Sequence, residues 1–251
     1  MSAGELWDAH AAWWKATFTD GADPEYAGEI VPLVTAELGS CERILDVGCG
    51  EGQIARALLR SGGVGTVVGI DPSWAQLCNG ADAGGGVTYL QGEGERLPFP
   101  DDTFDGVVCC LAIEHASDGT ALLGEVARVL APDGRFLLLI NHPMYQGPES
   151  GFVDDQILGE RYWRVGPYLS EGVTVEEVDP GIVIPFHHRP LSSYLNTLAG
   201  HDVVLTQMFE PPPLPAFLAE SIDPVLEGSI PRLLAMRFSY RPPVAGRGSV
   251  A

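Results

Sequence analysis

Positive charge is scarce in this sequence. Fourteen Lys and Arg stand against 34 Asp and Glu, for a net charge of −20. So acidic a surface repels a phosphate backbone, and no run of Lys or Arg supplies a local basic face, so no nucleic-acid partner is expected. Long apolar runs are missing as well. Nothing approaches the roughly 20 residues that span a bilayer, so no membrane partner is expected. The first residues, "MSAGELWDAHAAWWK", lack a basic segment leading into an apolar one, which predicts no secretory leader and a cytoplasmic protein. Paired cysteines are absent too. The five cysteines, Cys41, Cys49, Cys78, Cys109 and Cys110, are odd in number and include no CxxC, so neither a disulfide framework nor a metal site is expected. Cys109 and Cys110 stand in an apolar run, where cysteine behaves as a small buried hydrophobe. No internal repeat is visible.

What is present is a 45% hydrophobic chain of 251 residues, enough for one sizeable α/β domain. Leu6–Phe18 carries aromatics at helical spacing, and Glu25–Leu38 follows Pro24, a favoured helix start. Residues 1–40 therefore read as an N-terminal helical cap. Strand-like and helix-like segments then alternate: "RILDV", "QIARALLRS", "TVVGI", "SWAQLCNGA", "VTYLQ", "FDGVVCCL", "GTALLGEVARVL", "GRFLLLI". Continuous apolar strands separated by helices predict a doubly wound parallel sheet covered on both faces. Residues 143–188 break the pattern and read as an insertion after the fifth strand, over a core that spans 41–251. A helix, "RPLSSYLNTLAG", and two late strands, "VVLTQMFEP" and "RLLAMRFSYRP", predict an antiparallel finish. The tail "PPVAGRGSVA" is expected to fray.

The chemistry concentrates at strand ends, where ligands bind in open α/β sheets. "ILDVGCGEGQIARAL" ends a strand at Asp46-Val47 and turns through Gly48-Cys49-Gly50-Glu51-Gly52. Glycines let the chain take positive φ and let a ligand approach bare backbone. A carboxylate beside a pyrophosphate would be repelled, whereas beside an ammonium or sulfonium it is attracted. The spacing G-x-G-x-G also departs from the dinucleotide pattern. Asp71 ends the second strand 23 residues after Gly48, a position suited to ribose hydroxyls as well as to capping the next helix. Glu93, after the third strand, is placed to accept from an exocyclic amine.

In order along the chain, "ILDVGCGEGQIARAL", "VVGIDPS", "GEGERLPFPDDTFDGVVCCLAIEHASD" and "EVARVLAPDGRFLLLI" resemble the class I S-adenosylmethionine-dependent methyltransferases, in particular the ubiquinone/menaquinone-biosynthesis-like group acting on small molecules. The resemblance is strong over Cys41–His142. It implies a Rossmann-like sheet of seven strands with a reversed last strand, and S-adenosyl-L-methionine as cofactor. It further implies that Asp46, Gly48, Cys49, Gly50 and Gly52 line the methionine part. Asp71 would hold the ribose, Pro72 and Ser73 would lie beside the adenine, Glu93 and Gly94 at its edge, and Leu111 and Ala112 would complete the pocket. Family members usually carry Asp where Glu93 stands.

A small-molecule acceptor whose proton must be removed calls for a base, and His is the usual one near neutral pH. His142, closing the fifth strand, and His115, following the fourth, are the candidates by position. In the insertion, Tyr162, Trp163 and Tyr168 are expected to offer a stacking wall, and Arg161 and Arg164 to grip an anionic group. His187 and, from the N-terminal cap, Tyr26 are further candidates for the acceptor's surroundings. Two alternatives stand beside methyl transfer: a relative that binds the cofactor but catalyses another reaction such as cyclisation, and a nicotinamide-dependent (NAD) oxidoreductase. The acceptor, the atom methylated and the oligomeric state are not encoded in these motifs.

Overall fold

The computed structural model describes residues 2–240. The tail expected to fray lies outside them. Helix α1 (Ala3–Phe18) opens with a capping box, the Ser2 hydroxyl accepting from the Glu5 N–H while Glu5 accepts from the Ser2 N–H. A single wide turn, Tyr26–Ile30, in which the Val31 N–H reaches back five residues to the Tyr26 carbonyl, leads into α2 (Val31–Leu38). Then come β1 (Arg43–Val47), α3 (Gln53–Arg60), β2 (Thr66–Asp71), α4 (Trp74–Ala83), β3 (Thr88–Gln91), β4 (Phe104–Cys110), α5 (Gly119–Val129) and β5 (Leu130–Asn141). Two hairpins follow, β6 (Gly151–Asp155) with β7 (Glu160–Arg164) and β8 (Gly172–Asp179) with β9 (Ile182–His188). Helix α6 (Leu191–Gly200), β10 (Val203–Phe209), the one-turn helices α7 (Pro215–Leu218) and α8 (Pro224–Glu227), and β11 (Leu233–Tyr240) complete the chain.

Seven strands form one sheet in the order β10-β11-β5-β4-β1-β2-β3. The strands β1 to β5 run parallel; β11 is antiparallel to both β5 and β10. The apolar runs alternate between two cores. Leu45, Val107 and Leu138 pack on the face covered by α5 and α6. Ile44, Val108 and Leu137 pack on the face covered by α2 and α3. Burying both faces explains why these strands read as unbroken hydrophobic runs.

The order of strands decides where a ligand can sit. From β1 the chain winds outward through β2 to β3, then crosses back to lay β4 on the other side of β1. The connections leaving β1 and β4 therefore part in opposite directions and open a crevice at the carboxyl ends of those two strands. Asp46 and Val47 stand on one side of it, Leu111 and Ala112 on the other.

The segment 143–188 read as patternless; it folds as the two hairpins. The second carries a legible signature after all: in "VTVEEVDPGIVI" two segments rich in β-branched residues flank Asp179-Pro180-Gly181, and Gly181 takes φ +79° at the turn.

Candidate functional site

The crevice is a cavity of about 660 Å³. Its floor is the glycine turn. Gly48 (φ +71°) and Gly50 (φ +53°) take the left-handed conformation that favours glycine. A Cβ on Gly48 would collide with the Ala112 methyl, so the turn can pass this close to the segment after β4 only as glycine. A Cβ on Gly50 would meet nothing nearer than Trp14, 3.9 Å away. Bare backbone therefore faces open space there. The turn is tied down from behind: Gly48 and Cys49 both donate to the Ile70 carbonyl (2.8 and 3.1 Å), and Gly50 donates to Asp71 Oδ2 (2.8 Å). Glu51 is bonded to the buried Arg56 guanidinium, which also reaches the Glu51 carbonyl.

Two carboxylates border the floor. Asp46 is only 1% exposed, and its Oδ2 has no hydrogen-bond partner among the described residues. Burial, aided by the nearby Asp71, pushes its carboxyl up to about 7. Asp71 is also buried and raised to about 6, mainly by desolvation, although Ser73 and Gly50 amides bond its oxygens and oppose the shift. Two adjoining carboxyls held this far above the ordinary range lack a positive charge nearby.

The rim after β4 is built with equal care. Leu111 takes φ +50°, unusual for a branched side chain and of order 1–2 kcal/mol unfavourable. Its N–H donates to the Leu139 carbonyl (2.9 Å). The chain then makes the short 3₁₀ turn Ile113–His115. Arg189 holds this turn by donating to the Ile113 and Ala116 carbonyls (3.1 and 2.7 Å). Glu114 ties it to β5, accepting from the Asn141 N–H (2.6 Å). His115 Nδ1 lies 3.1 Å from the Pro185 carbonyl. A carbonyl can only accept, so Nδ1 carries the proton and Nε2 presents its lone pair. Burial pushes this imidazole down to about 4, so it is neutral at pH 7. Trp7 packs edge-on to it, ring centroids 5.0 Å apart, and Phe186 lies at the same distance.

The roof comes from two elements. Helix α1 contributes Leu6, Trp7 and Trp14; the β8–β9 hairpin contributes Val175, Val183, Pro185 and His187. Asp8 docks α1 on the start of α4, accepting from the Ser73 hydroxyl (2.7 Å) and the Ala75 N–H (2.9 Å). Trp13 Nε1 donates to Asp179 at the hairpin tip (2.9 Å), latching helix to hairpin.

Of the residues singled out from the sequence, Tyr26, Asp46, Gly48, Cys49, Gly50, Asp71, Pro72, Glu93, Gly94, Leu111, Ala112, His115 and His187 meet on this cavity. Gly52 and Ser73 stand behind it. A Cβ on Gly52 would strike the Tyr89 ring, and the Ser73 hydroxyl is spent on Asp8 and the Gln76 N–H. His142 must be set aside as a base: Nδ1 accepts from the Met144 N–H (3.1 Å) and Nε2 donates to Glu210 (3.0 Å), away from the cavity. The insertion residues are corrected as well. Arg161 leans on Asp154 and Asp223, Arg164 donates to the Glu149 carbonyl, and Tyr162 is exposed. Trp163 stacks on Tyr145, and the Tyr168 hydroxyl accepts from the Leu191 N–H. The first four belong to the first hairpin and its packing, and Tyr168 to the link between the hairpins; none lines the cavity. Sequence reasoning missed Trp7, Val175, Val183 and Pro185. For Trp7 the signal was the seven-residue spacing to Trp14, which puts both rings on one helix face.

Residues 45–138 match the family model described as a methyltransferase domain. The uncharacterized methyltransferase YcgJ of Bacillus subtilis is 39% identical over 132 residues, 49% of this chain and 48% of that protein. Demethylmenaquinone methyltransferase of Thermus thermophilus is 35% identical over 131 residues, 51% of this chain and 59% of that one. The chain thus spans about half the length of the curated relatives it matches. A crystal structure of an S-adenosylmethionine dependent methyltransferase from Mesorhizobium loti superposes with a TM-score of 0.69 at 30% identity, over 84% of this chain and 96% of that one. The chain belongs to the class I S-adenosylmethionine-dependent methyltransferases.

The residues present fit this family's cofactor. A buried carboxyl with an unpartnered oxygen suits an ammonium or a sulfonium. Bare backbone at Gly50 admits a bulky group against the turn. The nicotinamide alternative falls with the family assignment. No helix among the described residues is long and apolar enough to cross a membrane.

Proposed function

We propose that this chain methylates a small-molecule acceptor, using S-adenosylmethionine bound on the strand-end wall and His115 as the proton acceptor. One observation carries the reading: a single cavity joins the unpartnered Oδ2 of Asp46 to the Nε2 lone pair of a neutral histidine. Bound there, S-adenosylmethionine would supply a methyl carbon made electrophilic by a sulfonium. Asp46 attracts the positive head group, and Asp71 accepts from the ribose with the lone pairs its backbone bonds leave free. Glu93 takes the adenine amine. His115 receives the acceptor's proton at Nε2, and its Nδ1–H bond to Pro185 fixes the ring's orientation. Residues 1–40 and the hairpin β8–β9 exclude water; residues 143–188 serve as the lid through that second hairpin. The name of the Thermus thermophilus relative specifies a small-molecule acceptor, which supports the same substrate class here.

Calorimetry with S-adenosylhomocysteine tests the cofactor half, and saturable micromolar binding is expected. Mass spectrometry of a reaction mixture tests the rest: S-adenosylhomocysteine must form in step with a product heavier by one methylene. Product formed at unchanged mass without S-adenosylhomocysteine would establish the cyclase-like alternative instead.

A further inference from the structure

The two walls of the cavity differ in charge. The carboxyl groups on it stand on the strand-end side, among them Asp46, Asp71, Glu93 and Glu95. None of the described residues lining the cavity is Lys or Arg. The opposite wall, with Leu6, Trp7, Val175, Val183 and Pro185, carries no charge of either sign. Val175 is 67% exposed and Val183 42% exposed, so this apolar face is bare toward the cavity mouth. The two imidazoles beside it, His115 and His187, are both pushed down by burial and stay neutral at pH 7. The arginines that looked suited to an anion, Arg161 and Arg164, are occupied on the other hairpin.

We propose that the acceptor is an uncharged, largely apolar molecule that presents one hydroxyl to His115 Nε2, and that the site discriminates against anionic acceptors. This rests on the cofactor reading above, which assigns the carboxylate wall to the cofactor and leaves the uncharged wall to the acceptor. An anion there touches no Lys or Arg among the described residues lining the cavity and faces carboxyl groups across it, so its desolvation is not offset. A cation finds no carboxylate on the apolar wall itself. An uncharged ring covers Val175 and Val183, and its hydroxyl donates to His115 Nε2.

The test uses three probes that share a ring: 2-naphthol, 2-naphthoate and 2-naphthylmethylammonium. Each is titrated calorimetrically at pH 7 into the full chain saturated with S-adenosylhomocysteine. Binding of 2-naphthol at least tenfold tighter than 2-naphthoate is expected, with the ammonium also weaker than the naphthol. Equal or tighter binding of 2-naphthoate overturns the proposal, as does tighter binding of the ammonium, or no binding of 2-naphthol up to millimolar concentration. Val183→Lys is expected to gain at least fivefold in 2-naphthoate affinity, and the absence of any gain in a variant that still binds S-adenosylhomocysteine counts against it. The S-adenosylhomocysteine titration is read first. Its failure would sink the cofactor assignment, whereas loaded protein with the wrong probe preference sinks only the acceptor class.

Discussion

The strand-end wall and the hairpin wall face each other across one cavity, yet they are made on opposite plans. The glycine turn after β1 is pinned by three amides to Ile70 and Asp71 and supported by the buried Glu51–Arg56 pair, and beside it stands the Asp46 carboxyl with one oxygen left unbonded. The β8–β9 hairpin stands outside the main sheet, exposes apolar side chains, and is held over the cavity by a few polar contacts such as Trp13–Asp179 and His115–Pro185. The lesson is a division of labour. A rigid, core-anchored wall suits a ligand of constant shape and charge. A detachable apolar wall suits an acceptor that must come and go.

The comparison breaks most readily at the turn. Gly48→Ala, which drives a methyl into Ala112 at a positive φ, is expected to abolish measurable S-adenosylhomocysteine binding and lower stability by about 2 kcal/mol. Calorimetry and urea melts would check both. Asp46→Asn, nearly isosteric, is expected to weaken S-adenosylmethionine by roughly 10- to 100-fold, about 1.4–3 kcal/mol.

Where the two walls meet, His115→Gln is expected to lower kcat about 100-fold while changing S-adenosylhomocysteine affinity less than about threefold. A parallel fall in both would merge the two walls into one. His142→Gln, by contrast, should leave kcat within about twofold, because both ring nitrogens already serve the Met144 amide and Glu210.

A proton linkage sharpens the contrast further. Asp46 and Asp71 sit raised to about 7 and about 6. In the ligand-free protein a raised carboxyl favours the fold while it is protonated. That contribution is complete below the unfolded value near 4 and is lost as pH climbs through the folded values. Melting temperatures without ligand should therefore drift down from pH 6 to pH 8, and S-adenosylmethionine, whose positive charge favours the ionised form, should reduce the drift. Its binding at pH 6.5 should release protons, visible as a dependence of calorimetric heat on the buffer's ionisation enthalpy. Proton uptake instead would mean that no cation meets Asp46.

The strand-end wall was legible in the sequence because its demands are local. A strand that ends in Asp, a turn that must be glycine and a second carboxylate at a fixed distance all lie within Asp46–Asp71. The unbroken apolar strands, alternating with helices, likewise gave away the doubly wound sheet. The hairpin wall was not legible, because its role depends on long-range placement. Nothing local distinguishes Arg161 and Trp163, which pack away from the cavity, from Pro185 and Val183, which line it. His142 shows the same limit. A strand end puts a residue at the rim, but only the fold brings Glu210 from beyond β10 to occupy its ring. Gly52 and Ser73 were placed in the right neighbourhood but one layer too far forward, since spacing along a chain does not say which side of a turn faces the ligand.

The strand β11 lies between β5 and β10 although it is the last of the seven to be synthesised. While the nascent polypeptide leaves the ribosome, the outer margin of β5 has no neighbour, and Leu137 to Ile140 wait with their amides open. Premature termination anywhere ahead of Leu233 would leave that margin permanently available to another polypeptide, a template for misassembly. Loss of β11 would thus be felt as aggregation before it was felt as lost catalysis.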